Sequence, residues 1–195
     1  LATTHLLQRS LPEEKRAELV KIIQRETERL STLTTEFLDI SRLESGRIQF
    51  KREPFALPEL LAESLEVVRH QAQARGLGLE LRLAPEVSLV VTDRAKIKQV
   101  VLNLLTNAVK YNRDDGRLTL AAATTATGAY RISVTDTGRG IPPESLKNLF
   151  QKFYRVPESE NAVSGPGLGL SLARKIVELL GGEMGVESTH GVGST

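Results

Sequence analysis

The sequence predicts an α+β fold in which helices cover one face of an antiparallel or mixed sheet, and three observations support this. Leucine alternates strictly with other residues over residues 77–83, as in a half-buried strand. Apolar side chains recur at helical spacing over residues 94–111. Helical and extended segments then follow one another without the regular alternation that a parallel, doubly wound fold requires.

The chain begins with a long polar helix, predicted over residues 12–43, which opens with Pro-Glu-Glu and contains no internal Gly or Pro. Its apolar residues form a heptad-like seam, with Glu26 in one position: Leu19, Ile23, Leu30, Leu33, Phe37 and Ile40. A helix with one narrow apolar stripe is not stable alone. We expect residues 1–46 to form part of a helical hairpin that pairs with a second copy as a four-helix dimer. The alternative is that this helix lies on the domain that follows.

The rest of the chain divides into a short extended linker, residues 47–54, and an α+β domain, residues 55–195. Helices are predicted over residues 57–74, 94–111 and 168–180. Strands are predicted over residues 77–83, 87–91, 118–122, 130–134 and 183–187.

Composition and charge argue against several classes of protein. The formal net charge is only +2 and the basic residues are not clustered, so we expect no nucleic-acid partner. The chain has no cysteine, which excludes a disulfide framework and a thiolate metal site. No apolar run approaches the ~20 residues that cross a bilayer. We therefore expect membrane attachment only through segments outside this chain.

The helix predicted over residues 94–111 carries two asparagines one turn apart. Asn103 and Asn107 share a face, and amide oxygens suit Mg²⁺, which proteins usually share with substrate phosphates. Lys110 and Tyr111 follow and offer a charge and a hydroxyl to a polyphosphate. The alternative is that both asparagines only hydrogen-bond a neighbouring loop.

The stretch VTDTGRGIP, residues 134–142, places an acid at the end of a strand and two glycines after it. Asp136 could accept a hydrogen bond from an exocyclic amine, which would select adenine. Gly138 and Gly140 would let the backbone approach a flat ring. A polar β-turn is the alternative.

The stretch SGPGLGL, residues 164–170, places Gly165, Gly167 and Gly169 before a helix. A helix N-terminus preceded by glycines presents N–H groups and the positive end of the helix dipole, which together bind anions. The spacing matches neither the Walker loop nor the Rossmann fingerprint. A plain loop is the alternative.

In their order along the chain, these motifs resemble the catalytic and ATP-binding domain of sensor histidine kinases, in the superfamily that includes type II topoisomerase and mismatch-repair ATPases. NLLTNAVKY resembles the N box of that family, DTGRGIP the G1 box, FQKFYR the F box and GPGLGL the G2 box. GVGST resembles the opening of a final glycine box, and FLDISRLESGRI resembles the end of the second dimerisation helix, here about residues 12–45. The resemblance covers nearly the whole chain and implies a two-layer α/β sandwich.

The resemblance implies ATP and Mg²⁺ as ligands and gives roles to matching residues. Asn107 would hold Mg²⁺, with Asn103, Lys110 and Tyr111 around the phosphates, and Asp136 would hold the adenine amine. The other residues implied in ATP binding are Gly138, Gly140, Ile141, Phe150, Phe153, Arg155, Gly165, Gly167, Leu168, Gly169 and Leu170. Phe150, Phe153 and Arg155 would anchor and close a lid over residues 156–165.

The function implied is that of a protein histidine kinase in a two-component system. The γ-phosphoryl group of ATP would pass to a histidine and then to an aspartate of a response-regulator receiver domain. A homodimer and a cytoplasmic location are also implied. The alternatives are a nucleotide-binding pseudokinase that acts as a dimerisation scaffold, and an ATPase of the topoisomerase or mismatch-repair type, which the F box and the long helix disfavour.

The sequence departs from the family pattern in two places. It contains no phosphoacceptor histidine box: His5, His70 and His190 are expected to be structural, and the acceptor would lie upstream. The sequence also stops at Thr195, where the family continues into a last strand. We therefore expect the sheet to lack that strand.

Overall fold

The computed structural model describes residues 12–45, 49–157 and 167–195 and has the predicted combination of helices and a mixed sheet. The helices are α1 (Glu13–Glu44), α2 (Leu57–Gln73), α3 (Arg94–Lys110), α4 (Pro143–Leu146) and α5 (Gly169–Leu179). The strands are β1 (Glu53–Ala56), β2 (Gly78–Leu83), β3 (Leu89–Thr92), β4 (Arg117–Thr124), β5 (Tyr130–Asp136), β6 (Ser188–Thr189) and β7 (Gly193–Ser194). His5 and the first helix of the predicted hairpin lie outside the described residues.

The main sheet has five strands in the order β2-β4-β5-β7-β6. Only β2 and β4 pair in parallel, and the other neighbours are antiparallel. β1 and β3 form a separate antiparallel pair. The prediction of a mixed, largely antiparallel sheet is therefore confirmed.

One face of the main sheet is apolar and is covered by α2 and α3. Leu118 and Leu120 of β4 point to this face and are fully buried. Val134 of β5 is the register partner of Leu120. Because the side chains of a strand alternate with a period of two, Asp136 lies on the same face as Val134. Its register partner is Leu118. The carboxylate therefore belongs to the helix-covered side, at the end of its strand.

The start of α3 is fixed by Asp93. One carboxylate oxygen of Asp93 accepts a hydrogen bond from the backbone N–H of Lys96 at 3.0 Å, which caps the helix. The other oxygen accepts from the backbone N–H of Lys51 at 2.9 Å. The same side chain thus joins the segment after α1 to the helix that carries both asparagines.

The C-terminal end of α1 packs on the α+β domain. Ile40 and Leu43 are buried in a second core cluster with residues of α3 and α5, among them Val100, Leu172 and Ile176. At Ile40, therefore, the helix lies on the following domain, as the alternative interpretation of the seam predicted. Other seam residues are uncovered in the single chain: Leu30 is 63% exposed and Phe37 is 54% exposed.

The strand predicted over residues 183–187 is wrong. These residues form no regular strand, and β6 begins at Ser188. Of these residues, Glu187 alone exchanges backbone hydrogen bonds with a distant residue, Thr195, at 2.8 and 3.0 Å. Met184 instead packs against the second core cluster. This segment therefore packs on the core without a partner strand along its length.

Within the described ranges, no helix combines the length and the apolar composition that crossing a bilayer requires.

Candidate nucleotide-binding site

Asp136 forms one end of the candidate site. Its Oδ1 accepts a hydrogen bond from the backbone N–H of Gly138 at 2.8 Å. Burial raises the pKa of Asp136, and backbone hydrogen bonds from Gly138 and Ser194 act in the opposite direction. One carboxylate oxygen is thus held by the turn that follows the strand, so the orientation of the group is fixed by the local backbone.

The turn after β5 is clamped between the end of α3 and β6. A Cβ on Gly138 would collide with the carbonyl oxygen of Tyr111, and one on Gly140 would collide with that of Thr189. Gly140 also has a φ of +66°, which a glycine adopts without strain. The N–H of Ile141 donates to Oγ of Ser188 at 2.8 Å. Close approach of protein backbone therefore explains both glycines.

The two asparagines lie against the N-terminus of α5. The amide nitrogen of Asn107 donates to Oδ1 of Asn103 at 3.2 Å. A Cβ placed on Gly169, the first residue of α5, would collide with the amide of Asn103. Among the described residues, neither asparagine side chain hydrogen-bonds a loop. The predicted asparagine face and the predicted glycine-fronted helix are therefore adjacent.

The N-terminus of α5 presents backbone N–H groups, and its N-cap residue, Leu168, provides no side-chain hydrogen bond to them. Leu168, which precedes the helix, is fully buried in the second core cluster, and Leu170 is half-buried. Gly167 has its carbonyl oxygen engaged by the N–H of Phe153 at 2.9 Å. Gly165 lies outside the described residues. The start of α5 is thus anchored by packing while its first N–H groups retain the capacity to bind an anion.

Lys110 and Tyr111 stand at the other end of α3, together with an arginine that the sequence analysis did not assign. The ammonium of Lys110 is 4.9 Å from the centre of the Tyr111 ring, and the guanidinium of Arg139 is 4.4 Å from it. Burial lowers the pKa of Arg139. The position of Arg139 between the two glycines of DTGRGIP was the available signal for its proximity to the site.

These residues border a cavity of about 370 Å³. Its lining is basic and contains no acidic side chain: Arg75, Lys110, Tyr111, Asn112, Arg113, Gly138, Arg139 and Gly191. Such a concentration of one sign of charge in a concave surface attracts anions.

Arg75 holds the C-terminal end of α3 in place. Its guanidinium donates to the carbonyl oxygens of Val109 and Lys110, which are among the groups that a helix end leaves without partners, and to that of Asn112 just beyond the helix. It also pairs with Asp114 at 2.8 Å. Lys110 and Tyr111 are positioned by this clamp. Sequence reasoning missed Arg75 because its partners lie more than 30 residues away and share no motif with it.

The residues of the F box lie beside α5. The ring of Phe150 is half-buried and faces the guanidinium of Arg174, 5.0 Å from the ring centre. Phe153 is 59% exposed and has a φ of +62°. Arg155 is also exposed. These three residues precede the predicted lid, residues 156–165, most of which lies outside the described part of the chain.

The groups described above have the chemistry that suits a nucleotide. A half-buried carboxylate can accept a hydrogen bond from a base amine, and amide oxygens can ligate a hard cation. A lysine and an uncapped helix N-terminus can bind phosphates. Fold and site thus define a nucleotide-binding α+β domain with a docked helix.

Comparison with known families agrees with this class. Residues 92–195 match the family described as histidine kinase-, DNA gyrase B-, and HSP90-like ATPase. Residues 1–46 match the His Kinase A (phospho-acceptor) domain. The chain therefore belongs to the histidine kinase-, DNA gyrase B- and HSP90-like ATPase family.

The chain is similar to sensor kinases from several bacteria. It is 33% identical over 199 residues to the sensor protein GacS of Pseudomonas syringae pv. syringae, covering 100% of this chain and 22% of that protein. It is 36% identical over 179 residues to the histidine protein kinase DivJ of Caulobacter vibrioides, covering 92% of this chain and 30% of that protein. The chain thus spans less than a third of the length of either relative.

Two solved structures share its fold. Full-length ShkA in complex with AMPPNP superposes with a TM-score of 0.81 at 26% identity, over 99% of this chain and 40% of that one. The histidine kinase ThkA in complex with the response regulator protein TrrA has a TM-score of 0.75 at 26% identity, over 95% and 51% of the two chains. The similarity to both structures includes the region of α1.

Proposed function

We propose that this chain is the ATP-binding catalytic portion, with a dimerisation helix, of a sensor histidine kinase. One observation carries the proposal: the Asn103–Asn107 pair abuts Gly169 at the start of α5, while Asp136 lies on the same helix-covered side of the sheet. The family membership supports it, and so does the AMPPNP complex of the related ShkA.

Asp136 is proposed to select adenine. The carboxylate accepts backbone hydrogen bonds from Gly138, on Oδ1, and from Ser194, and its two oxygens have further lone pairs that can accept the hydrogen bond of the exocyclic amine. Gly138, Gly140 and Ile141 would form the adjoining wall of the base site. The clamped turn prevents the carboxylate from rotating away, so the acceptor is already oriented before the base arrives.

Asn107 is proposed to hold Mg²⁺. Its amide nitrogen donates to Asn103, and its oxygen accepts no hydrogen bond from any described residue, so that oxygen is available to a hard cation. No group of three His, Cys, Asp or Glu side chains in the described ranges could hold a metal alone. The ion would therefore be shared with phosphate oxygens and would supply positive charge to offset theirs.

The phosphates are proposed to lie between the ends of α3 and α5. Lys110 supplies a positive charge, Tyr111 a hydroxyl and Asn103 an amide. The first N–H groups of α5, around Gly169 and Leu170, supply donors aligned with the helix dipole. The remaining residues proposed to line or close the site are Phe150, Phe153, Arg155, Gly165, Gly167 and Leu168.

The reaction proposed for the whole protein transfers the γ-phosphoryl group to a histidine outside this chain. A nitrogen of that histidine forms a bond to phosphorus, and the bond to the β,γ-bridging oxygen breaks to leave ADP. The phosphoryl group would then pass to a receiver-domain aspartate. The match of residues 1–46 and the complex of the related ThkA with TrrA support this proposal. The scaffold alternative is not favoured, because the similar proteins are named kinases.

The dimer and the domain limits are part of the proposal. Leu30 and Phe37 are exposed apolar residues of the seam, and a second copy of α1 would cover them. The proposed limits are residues 1–46 for the dimerisation segment, 47–54 for the linker and 55–195 for the catalytic domain. β1 begins at Glu53, so the end of the linker forms part of the small sheet.

Calorimetric titration of AMPPNP, with Mg²⁺ and with EDTA, tests the nucleotide site. Wild type should bind more tightly with Mg²⁺, and Asn107→Ala should remove that difference. Thr106→Ala is the matched control, because Thr106 is exposed and its hydroxyl bonds only carbonyls of its own helix. Absence of AMPPNP binding to wild type would refute the proposal. In the full-length protein, labelled γ-phosphate should appear as acid-labile phosphohistidine.

A further inference from the structure

A second cavity, of about 270 Å³, lies where the end of α1 meets α5 and residues 147–152. Its apolar lining consists of Ile40, which is buried, and Phe150, whose ring is half-buried. Ile40 reaches the cavity because the end of α1 packs on α3 and α5. An occupant of the cavity would therefore touch the dimerisation helix and the α+β domain at the same time.

The charged side chains around this cavity are mostly basic. Four cations and one acid line it: Lys147, Lys152, Arg174, Lys175 and Glu178. The acid is already paired, because Glu178 lies 2.9 Å from the guanidinium of Arg174. Lys175 is half-buried, and the other three cations are exposed. The cavity thus has an excess of positive charge that its own lining does not neutralise.

Two of these cations have no ionic partner in the part of the chain that the structure describes. The ammonium groups of Lys147 and Lys175 form neither an ion pair nor a hydrogen bond there. Asp39, at the end of α1, accepts a hydrogen bond from the amide nitrogen of Gln99 at 2.9 Å and is engaged in that contact. Neutralising charge for the two lysines therefore has to come from another molecule.

The surroundings of the cavity favour a protein segment over a small ligand. Sites for small ligands enclose most of the surface of the ligand. Here Lys147, Lys152 and Arg174 are exposed, so they surround the cavity without closing over it. Exposed cations around a concave surface complement acidic side chains on the surface of another protein.

We propose that this cavity is a docking site for an acidic segment of a separate protein, whose carboxylates pair with Lys147 and Lys175. Because the occupant touches α1 and α5 together, its binding favours the docked position of α1, and docking of α1 favours the binding in turn. The two lysines are distinct from the residues proposed to hold the base, the metal ion and the phosphates. The inference therefore goes beyond the proposed function and does not depend on it.

The test is the binding of a labelled oligoglutamate peptide to the full chain at low ionic strength, measured by fluorescence anisotropy with AMPPNP and Mg²⁺ present. Wild type should bind the peptide, and added salt should weaken the binding. The double variant Lys147→Glu, Lys175→Glu should weaken it about tenfold or more, because two attractions become repulsions. The control Lys15→Glu, Lys21→Glu makes the same change in net charge at exposed positions, with Lys21 about 28 Å along the helix from Ile40. Its affinity for the peptide should stay within about twofold of wild type.

Hydrogen exchange separates docking in the cavity from loose attraction to a basic surface. Peptide binding should slow the exchange of backbone amides in residues 36–44 as well as in residues 147–152, because the occupant stabilises the end of α1 against α5. Slowing that leaves both segments unchanged would contradict the inference. The neutral variant Lys147→Gln, Lys175→Gln should also bind the peptide more weakly than wild type, and AMPPNP binding by each variant shows that it is folded.

Other occupants of the cavity give different results. Tripolyphosphate that binds more tightly than the peptide, and is lost in the same variants, would assign the cavity to a small anion and overturn the inference. Self-association that the lysine variants abolish, without any peptide binding by wild type, would assign it to a second copy of the chain and overturn it as well. If wild type binds AMPPNP but not the peptide, this inference is wrong and the proposed function stands. If wild type binds the peptide in the cavity but no AMPPNP, the proposed function fails and this inference stands.

Discussion

Replacing Asp136 with asparagine should separate nucleotide recognition from stability. The asparagine oxygen can still accept the hydrogen bond from the N–H of Gly138 that Oδ1 accepts at 2.8 Å in the wild type. That bond holds the new amide nitrogen in the position of the second carboxylate oxygen. A hydrogen-bond acceptor that faces the base is thereby replaced with a donor of nearly the same shape.

The effect on adenine binding follows from that change. Losing one hydrogen bond to a charged group costs about 1.5–3 kcal/mol, which is about 10- to 150-fold in affinity. The donor that replaces it faces the donor amine of adenine but would pair with the carbonyl oxygen of guanine. Asp136→Asn should therefore weaken AMPPNP binding and narrow the preference for adenine over guanine nucleotides.

The effect on stability has the opposite sign. Burial raises the pKa of Asp136 above its ordinary value of 3.8, so the folded state binds the proton more tightly than the unfolded chain does. The stabilisation that this group contributes is fully present below pH 3.8 and is lost as the pH rises through the pKa of the folded state. The asparagine variant avoids this loss, so its Tm at pH 7.5 should equal or exceed that of wild type. The difference should shrink as the pH falls toward 3.8.

Calorimetric titration with AMPPNP and a non-hydrolysable guanine nucleotide measures the binding, and thermal unfolding from pH 4 to 8 measures the stability. A variant that binds AMPPNP as tightly as wild type would refute the proposed base site. A variant whose Tm at pH 7.5 lies well below that of wild type would refute the electrostatic reasoning.

Three further changes test other parts of the structure. Gly169→Ala places a methyl group against the amide of the neighbouring asparagine and should weaken AMPPNP binding about tenfold; Gly185→Ala, with no atom within 4 Å of the added methyl, should not. Arg75→Met removes the donors from the last carbonyls of α3 and should lower the free energy of unfolding in urea by about 1–3 kcal/mol; an unchanged value would contradict its clamping role. Ile176→Ala, fully buried in the second core cluster, should cost about 2–5 kcal/mol in the same assay, and a cost below about 1 kcal/mol would contradict the packing described.

Much of the fold could be predicted because the spacing of apolar residues within a segment indicates whether the segment is a helix or a strand. The alternation of leucines predicted β2, and the helical spacing of apolar residues predicted α3 to within one residue of its end. The strand predicted over residues 183–187 failed because the residue types of a short segment do not report the presence of a neighbouring strand. Whether a strand forms depends on hydrogen bonds to a distant segment, which periodicity does not contain.

The candidate site could be predicted where its groups are held by their own element. Asn103 and Asn107 share a helix face by spacing alone, and the structure brings them against Gly169. Asp136 was predicted at a strand end, and pairing with β4 puts it on the covered face. The roles of these residues in ATP binding remain predictions.

Groups that act across long sequence separations were missed. Arg75 reaches carbonyl oxygens 34–37 residues further along the chain. This contact has no signature in a single sequence, because it depends on how the packed elements are rotated. The seam of α1 was likewise ambiguous: apolar spacing predicts that a face is covered, and tertiary packing decides which part meets the catalytic domain.

The account depends most on where a nucleotide binds, and a crystal structure of the chain with Mg²⁺ and AMPPNP measures this directly. We expect the adenine amine within hydrogen-bond distance of Asp136 and the metal ion on the amide oxygen of Asn107, with the phosphates reaching Lys110 and the start of α5. A nucleotide bound elsewhere, or an adenine turned away from Asp136, would contradict the account.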